Sequence, residues 1–509
     1  MPDPPQPDPQ PPRKSRWTRL GLRGVLIGAG EPAPPARSAP NKSQQKQLTG
    51  RLAGLSLPRQ VWVLSLWPLL EQLLNFLVGT VDVAIAGRLP GTDVQLAAMD
   101  AITVGSYFTW LMTLLQAAVG VGASAIVSRA IGASHRRLAN AGVGQALVLG
   151  VASGIVAGGL VLLAAPWIAQ GLGLRGEAAA MAVTYIRITA LSIPMCGALF
   201  VGGACLRAAG DTRSPFFAML LVNILNIGVS VYLAGISYGP ADASKTFGLG
   251  LGVTGIAAGT AIAWTFGGFL VIAILLSGKS DIRLRKHRLL PHPTMMRRII
   301  RIALPNLASQ LGFWSINFVL LFYVSRLNID GAFGAHMIAI RIESVAFLPG
   351  FAIAVAASTL TGQYLGLGDP DRARQATYWS AGAAVALMSF CSLFFFFTPE
   401  PLVALLSPNT PEHLALAPPL LKIAAPVMPM FAVCIIIGSA MQGAGDTKAT
   451  AVINFSGLLT TRLIGAYVLA FPLGLGLRGV WIGMMADLGI RGVLFLLYYR
   501  TGRWAMAKV

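Results

Sequence analysis

LRAAGDTRSP occupies residues 206–215 and returns as MQGAGDTKAT at 441–450. Three further pairs share the offset of about 235 residues: SRAIGASHRRLANA (128–141) with GQYLGLGDPDRARQA (362–376), Pro68 with Pro305, and Arg88-Leu89 with Arg326-Leu327. Solenoid repeats recur every 20–50 residues or so, and this offset is far longer. The chain therefore reads as one large unit duplicated.

The residues between these landmarks are apolar. Runs at about 60–87, 97–131, 138–165, 178–208, 213–236 and 252–277 are followed by a second set at 299–326, 333–366, 374–398, 415–443, 449–472 and 477–500. Each is long enough to cross a hydrocarbon core of about 30 Å as a helix. The composition agrees: 55% of the 509 residues are hydrophobic, 11% are charged, and the mean hydropathy is +0.67. Soluble domains carry about 25% charged residues, so lipid must cover most of this surface. The expected fold class is an all-α integral membrane protein of about twelve transmembrane helices. Six helices per repeat is an even number, so both halves enter the membrane from the same side. Two parallel six-helix lobes related by pseudo-twofold symmetry, with a cleft between them, follow from that count.

Four segments are expected: a Pro-rich basic tail at 1–50, an N-lobe at 51–278, a basic linker at 279–298 and a C-lobe at 299–509. The tail, with MPDPPQPDPQPPRK and EPAPPARSAPNKSQQKQ, lacks the apolar residues to order itself. Pro291 and Pro293 argue against a continuous helix through the linker. Basic residues cluster after the even-numbered helices: Arg129, Arg136 and Arg137; Arg207 and Arg213; the linker; Arg372 and Arg374; Lys448; and Arg500 and Arg503. The intervening loops carry mostly single ones. By the positive-inside rule both termini are expected in the cytoplasm, with the chain multi-pass in the cell's inner (plasma) membrane. The net charge of +20 thus reads as loops facing anionic lipid rather than as a nucleic-acid surface. Cys196, Cys205, Cys391 and Cys434 lie singly in apolar runs, so no disulfide, metal site or cofactor is expected. Walker, G-x-S-x-G and H-E-x-x-H motifs are lacking, which disfavours an ATPase or hydrolase.

Several of these segments resemble the multidrug and toxic compound extrusion (MATE) family. MIAIRIESVAFLPGFAIAVAASTLTGQYLGLGDPDRA (337–373) is similar to the family's eighth helix, and WPLLEQLLNFLVGTVDVAIAGRL (67–89) to its first. GVWIGMMADLGIRGVLFLLYYRTGRW (479–504) is similar to the last helix of the DinF-like branch. Ala209–Thr212 and Ala444–Thr447 match the connections from the fourth to the fifth helix and from the tenth to the eleventh. The resemblance spans about residues 58–505. It implies a secondary transporter that exports cationic or lipophilic small molecules in exchange for protons or sodium; a monomer in membrane lipid is expected. The runner-up is a flippase for lipid-linked intermediates. That reading wants several deep basic residues for phosphates, and only Arg187, Arg341, Arg462 and Arg491 qualify.

Charges inside a bilayer are costly and need a partner, water or a function. Glu71, Asn75, Gly79 and Asp82 recur at helical spacing and form a polar stripe on the first helix. Asp82 is the first candidate for cation coupling, since it could take up and release a proton as water access changes. The ordinary alternative is an exposed helix-end Asp. The resemblance also assigns coupling to Asp82, and places Asn226 beside it, with Asn223 one turn earlier. Some members carry an Asp one turn after that asparagine, where this chain has Ser230. The missing carboxylate favours a proton over sodium. Glu343, Asp487, Arg491 and Arg462 form a candidate C-lobe polar network. Asp487 and Arg491 sit at ion-pair spacing and Arg462 has no acid nearby in sequence. Either the network senses protonation or substrate, or it is a set of structural ion pairs. Phe313, Trp314, Met428, Met430 and Phe431 could line a drug cavity or simply pack.

Overall fold

Proline starts many of the helices. Pro58, Pro293, Pro370, Pro399 and Pro411 each stand in a first turn, where a missing N–H costs nothing. The computed structural model describes residues 48, 52–90, 92–171, 174–238, 245–507 and 509. Apart from Leu48, the tail expected at 1–50 lies outside the described residues.

The first nine helices are α1 (Leu57–Ala86), α2 (Thr92–Gly132), α3 (Arg136–Gly171), α4 (Gly176–Ala208), α5 (Arg213–Ala234), α6 (Gly252–Ser277), α7 (Pro293–Arg326), α8 (Ala332–Leu367) and α9 (Pro370–Phe397). A short α10 (Pro399–Leu406) follows. The tenth span is broken into α11 (Pro411–Ala424) and α12 (Met428–Gly443), with Pro426 at the break. The eleventh runs from α13 (Thr447–Gly457) through a π-helical turn (Leu458–Gly465) into α14 (Ala466–Ala470), and α15 (Gly476–Arg500) is the twelfth. Among the described residues, twelve spans are long and apolar enough to cross a membrane. A hairpin between α5 and α6, β1 (Ile236–Tyr238) antiparallel to β2 (Lys245–Phe247), pairs Ile236 with Phe247 and was not anticipated.

The repeated AGDT turns are structural devices. Gly210 and Gly445 take φ of +90° and +86°, a conformation that strains any residue with a side chain. The aspartates that follow accept backbone N–H groups at the next helix start: Asp211 from Ser214 at 3.2 Å and Asp446 from Ala449 at 3.4 Å.

In the first half α4 packs against α2, α3 and α6, and α5 against α6. In the second, α8 packs against α9, α11 and α12, and α12 against α9 and α15. Large apolar side chains such as Trp62, Leu163, Trp167 and Phe397 point outward, as a lipid-facing belt requires. The linker lies along α3. Gln145 donates to Arg288 O and Leu290 O at 2.7 and 2.8 Å and accepts from the His292 N–H at 2.8 Å. α7 begins at Pro293, so the last linker residues of the sequence reading, Arg297 and Arg298, belong to this helix.

The halves meet through α1 against α8 and α2 against α7 and α8. The hydrogen bonds that join them gather at the end carrying the linker. Arg129 donates to Ala444 O at 2.6 Å and Ala507 O at 2.9 Å, Gln363 to Ala208 O at 2.9 Å, and Tyr364 to Gln60 at 2.8 Å. Glycines permit this approach. A Cβ on Gly132 would strike the Gln363 carbonyl, and one on Gly362 the Ser128 hydroxyl. Gly132→Val is therefore expected to hold the linker end open. With the native cysteines replaced, spin labels at the exposed positions His135 and Asp371 should report longer distances in that variant. An unchanged distance distribution would show that the close approach is not required for closure.

Candidate functional site

Asp82 is 1% exposed and stands close to the hairpin end of α1. Its Oδ2 accepts two hydrogen bonds, from Tyr185 Oη on α4 and Thr260 Oγ1 on α6, each at 2.9 Å. Thr260 accepts in turn from Asn226 Nδ2 on α5 at 2.9 Å. Asn226 also reaches toward Ser230 Oγ at 3.5 Å, and Ser230 donates to Ile256 O at 3.4 Å. Four helices thus converge on one carboxyl group.

Small residues make the convergence possible. A side chain on Gly105 of α2 would collide with the Tyr185 ring, and one on Gly259 of α6 with Ser230. Tyr185 can lie flat against α2, and α5 and α6 can approach closely enough to present Asn226 and Thr260 together.

The site is only half satisfied. Asp82 Oδ1, Asn226 Oδ1 and Asn223 Oδ1 are all buried and accept no hydrogen bond among the described residues. Unpaired buried acceptors are costly, and oxygen atoms of this kind suit a proton or a hard cation. A proton placed on Oδ1 would turn an unpaired acceptor into a donor. The chemistry available is therefore reversible cation uptake at a carboxyl group already held in place through its other oxygen.

The α1 stripe does not act as one unit. Asp82 enters the site, whereas Glu71 is paired with Arg207 of α4 at 2.6 Å, eleven residues or about 16 Å away along the helix. Asn75 donates to Gln72 at 3.2 Å, a bond within its own helix. Glu71 stands at the middle of α1 and Asn75 one turn beyond it, and among the described residues neither is bonded to the Asp82 cluster. Asn223 donates to Met219 O at 2.9 Å. Tyr185 and Thr260 were missed. Their hydroxyls are common in apolar helices, where they can bond their own backbone, so type and spacing do not flag them.

The second half gathers Asp487, Arg491 and Arg462. Arg491 grips both oxygens of Asp487, Nε to Oδ1 at 2.7 Å and NH2 to Oδ2 at 2.6 Å. Arg462, in the π-helical turn, adds NH1 to Oδ2 at 3.3 Å and donates to Asn317 Oδ1 at 3.0 Å. Arg462 thus has an acid after all, supplied by a different helix. A Cβ on Gly457 would strike Asp487 Oδ1, so this glycine admits the ion pair. Glu343 is buried on α8 with Arg462 as its facing charge and makes no ion pair within 4.0 Å among the described residues. The two clusters differ in kind. Asp487 is saturated by two guanidiniums, and Asp82 keeps an oxygen open.

Known proteins share this architecture. The MatE family model matches residues 69–232 and 305–468, one match in each half. A probable multidrug resistance protein NorM of Thermotoga maritima is 27% identical over 441 residues, covering 86% of this chain and 91% of that protein. An uncharacterized transporter, YisQ of Bacillus subtilis, is 22% identical over 86% of this chain and 93% of its own length. Among solved structures, a MATE crystal structure in the bent conformation superimposes with a TM-score of 0.79 at 20% identity, covering 89% of this chain and 96% of that one. An outward-facing MATE transporter of the MOP superfamily gives 0.78 at 21% identity over 89% of this chain and 98% of that one. Two-lobed, multi-pass and helical, with family-model matches in both halves, the chain belongs to the MatE family, whose members are membrane transporters and not enzymes.

Proposed function

We propose that this chain is a multidrug exporter that antiports cationic or lipophilic small molecules against protons by alternating access, with Asp82 as the coupling residue. The observation that carries the reading is the carboxyl group with one oxygen fixed by Tyr185 and Thr260 and the other unpaired. A proton needs one basic oxygen, and Asp82 Oδ1 offers one. By the family resemblance, some members carry a second carboxylate at the position of Ser230, and its absence here favours a proton over sodium. The names of the relatives, multidrug resistance proteins among them, support small-molecule export. The linker end carries the basic clusters and would face the cytoplasm, putting Asp82 toward the outer side of a plasma membrane. The sequence of the last helix, which resembles that of the DinF-like branch, favours that branch.

The test is ethidium uptake into inverted membrane vesicles. A pH gradient, acid inside, should drive accumulation, and a sodium gradient at equal pH should not. Accumulation driven by sodium alone would sink the proton assignment, and no accumulation under either gradient would sink the export reading for this probe.

A further inference from the structure

Beyond α15 the chain turns back across the linker end. Gly502, at a φ of +73°, makes the turn, and Arg503–Met506 form one short helical coil. Trp504 anchors this coil. It is fully buried, stacks on Tyr499 at 4.5 Å and 6°, and donates its indole N–H to Tyr499 O at 2.9 Å. Tyr499 belongs to α15, so up to this point the segment rests on its own half. The residues that follow cross to the other. Ala507 O accepts from Arg129 of α2 at 2.9 Å, and the Val509 side chain packs against the apolar core of the first half and the start of α7. On its other side Val509 touches the AGDT turn of the second half, where a Cβ on Gly445 would strike it. Arg298, in the opening turns of α7, donates to Val509 O and fixes the far end of the segment.

We propose that the segment beyond α15 is a releasable strap that holds the linker end shut. The linker joins the halves covalently at this end, and the strap adds a non-covalent tie beside it. Trp504 moves with α15 and Arg129 with α2. Separating the halves at this end therefore pulls Ala507 from Arg129 and Val509 from the core of the first half. Contacts made in only one of two states weight the equilibrium toward that state. The other cross-half bonds, Gln363 to Ala208 O and Tyr364 to Gln60, do not involve the strap and remain when it is removed. A hydrogen bond from a guanidinium and the packing of one valine together weight the closed state about tenfold. The strap thus sets how often the linker end opens, whatever the substrate and the coupling ion.

The test is the distance distribution between spin labels at His135 and Asp371, with the native cysteines replaced. A chain stopped after Met506 keeps Trp504 on Tyr499 and loses Ala507 and Val509. Its ratio of open to closed linker ends should rise about tenfold. Arg298→Met, in the unshortened chain, removes the anchor of Val509 and should shift the ratio the same way by about threefold. Arg297→Met removes an equal charge from the exposed neighbouring position and should leave the ratio within about twofold. Unchanged distances in both the shortened chain and Arg298→Met would overturn the strap. An equal shift in Arg297→Met would do the same, by assigning the effect to charge alone. A lower melting temperature in the shortened chain with unchanged distances would make the segment a brace for α15 and also overturn the proposal. Where the shortened chain does not insert, Arg298→Met against Arg297→Met decides the matter.

Discussion

Asp82→Asn is expected to reduce proton-driven efflux in proteoliposomes to the passive leak while leaving the protein folded. The substitution keeps the side-chain volume and removes the titratable group, so it separates charge from packing. Its carbonyl oxygen can still accept from Tyr185 and Thr260, which in the native site both donate to one oxygen at 2.9 Å. The new amide N–H lies beside Asn226, whose Oδ1 has no hydrogen-bond partner among the described residues. Folding should therefore survive, since an uncompensated carboxylate in an apolar bundle is a burden rather than a brace. Substrate binding should survive too and release should fail, because a ligand or proton shifts a two-state equilibrium only through different affinity for the two states. The readout is efflux per reconstituted molecule, with thermal unfolding alongside. Wild-type efflux would end the assignment and turn attention to Glu343. Glu71 is a weaker second choice because Arg207 neutralises it at 2.6 Å.

Much of the architecture was legible because duplication and hydropathy are long-range signals. Four agreeing offsets and twelve apolar runs do not depend on any single residue. Asp82 was legible for a related reason: acids are so costly in apolar helices that one of them stands out. Its partners were not. Tyr185 and Thr260 are cheap residues in a membrane helix, and their role depends on where Gly105 and Gly259 let α2, α4, α5 and α6 approach. Helical spacing placed Glu71 and Asp82 on one stripe, but periodicity carries no information about depth, and about 16 Å along the helix brings different neighbours. Arg462 shows the same limit. It lacks an acid within a turn of its own helix, and the fold brings Asp487 to it from another. The breaks in the tenth and eleventh spans also escaped hydropathy, which averages over a window and does not see a π-helical turn.

Asp487→Asn is expected to act on stability rather than on coupling. Asp487 is fully buried and its two oxygens receive three guanidinium hydrogen bonds, two from Arg491 and one from Arg462. Removing the negative charge leaves two buried cations whose other hydrogen bonds from the guanidiniums, among the described residues, go to the amides of Asn454 and Asn317, with Glu343 facing Arg462 beyond ion-pair distance. Breaking a buried pair from one side typically costs about 3–5 kcal/mol, because the remaining charge is left uncompensated. The melting temperature in detergent should fall clearly. Adding Arg491→Gln should recover part of the loss, since it withdraws one of the stranded charges, and the difference between single and double variants measures the coupling. At a temperature where Asp487→Asn protein remains folded, efflux per folded molecule should stay near wild type. The ion pair has no open oxygen through which to exchange a proton, unlike Asp82 with its free Oδ1. Coupled efflux lost in fully folded Asp487→Asn protein would overturn this division of labour and make the second half a partner in coupling.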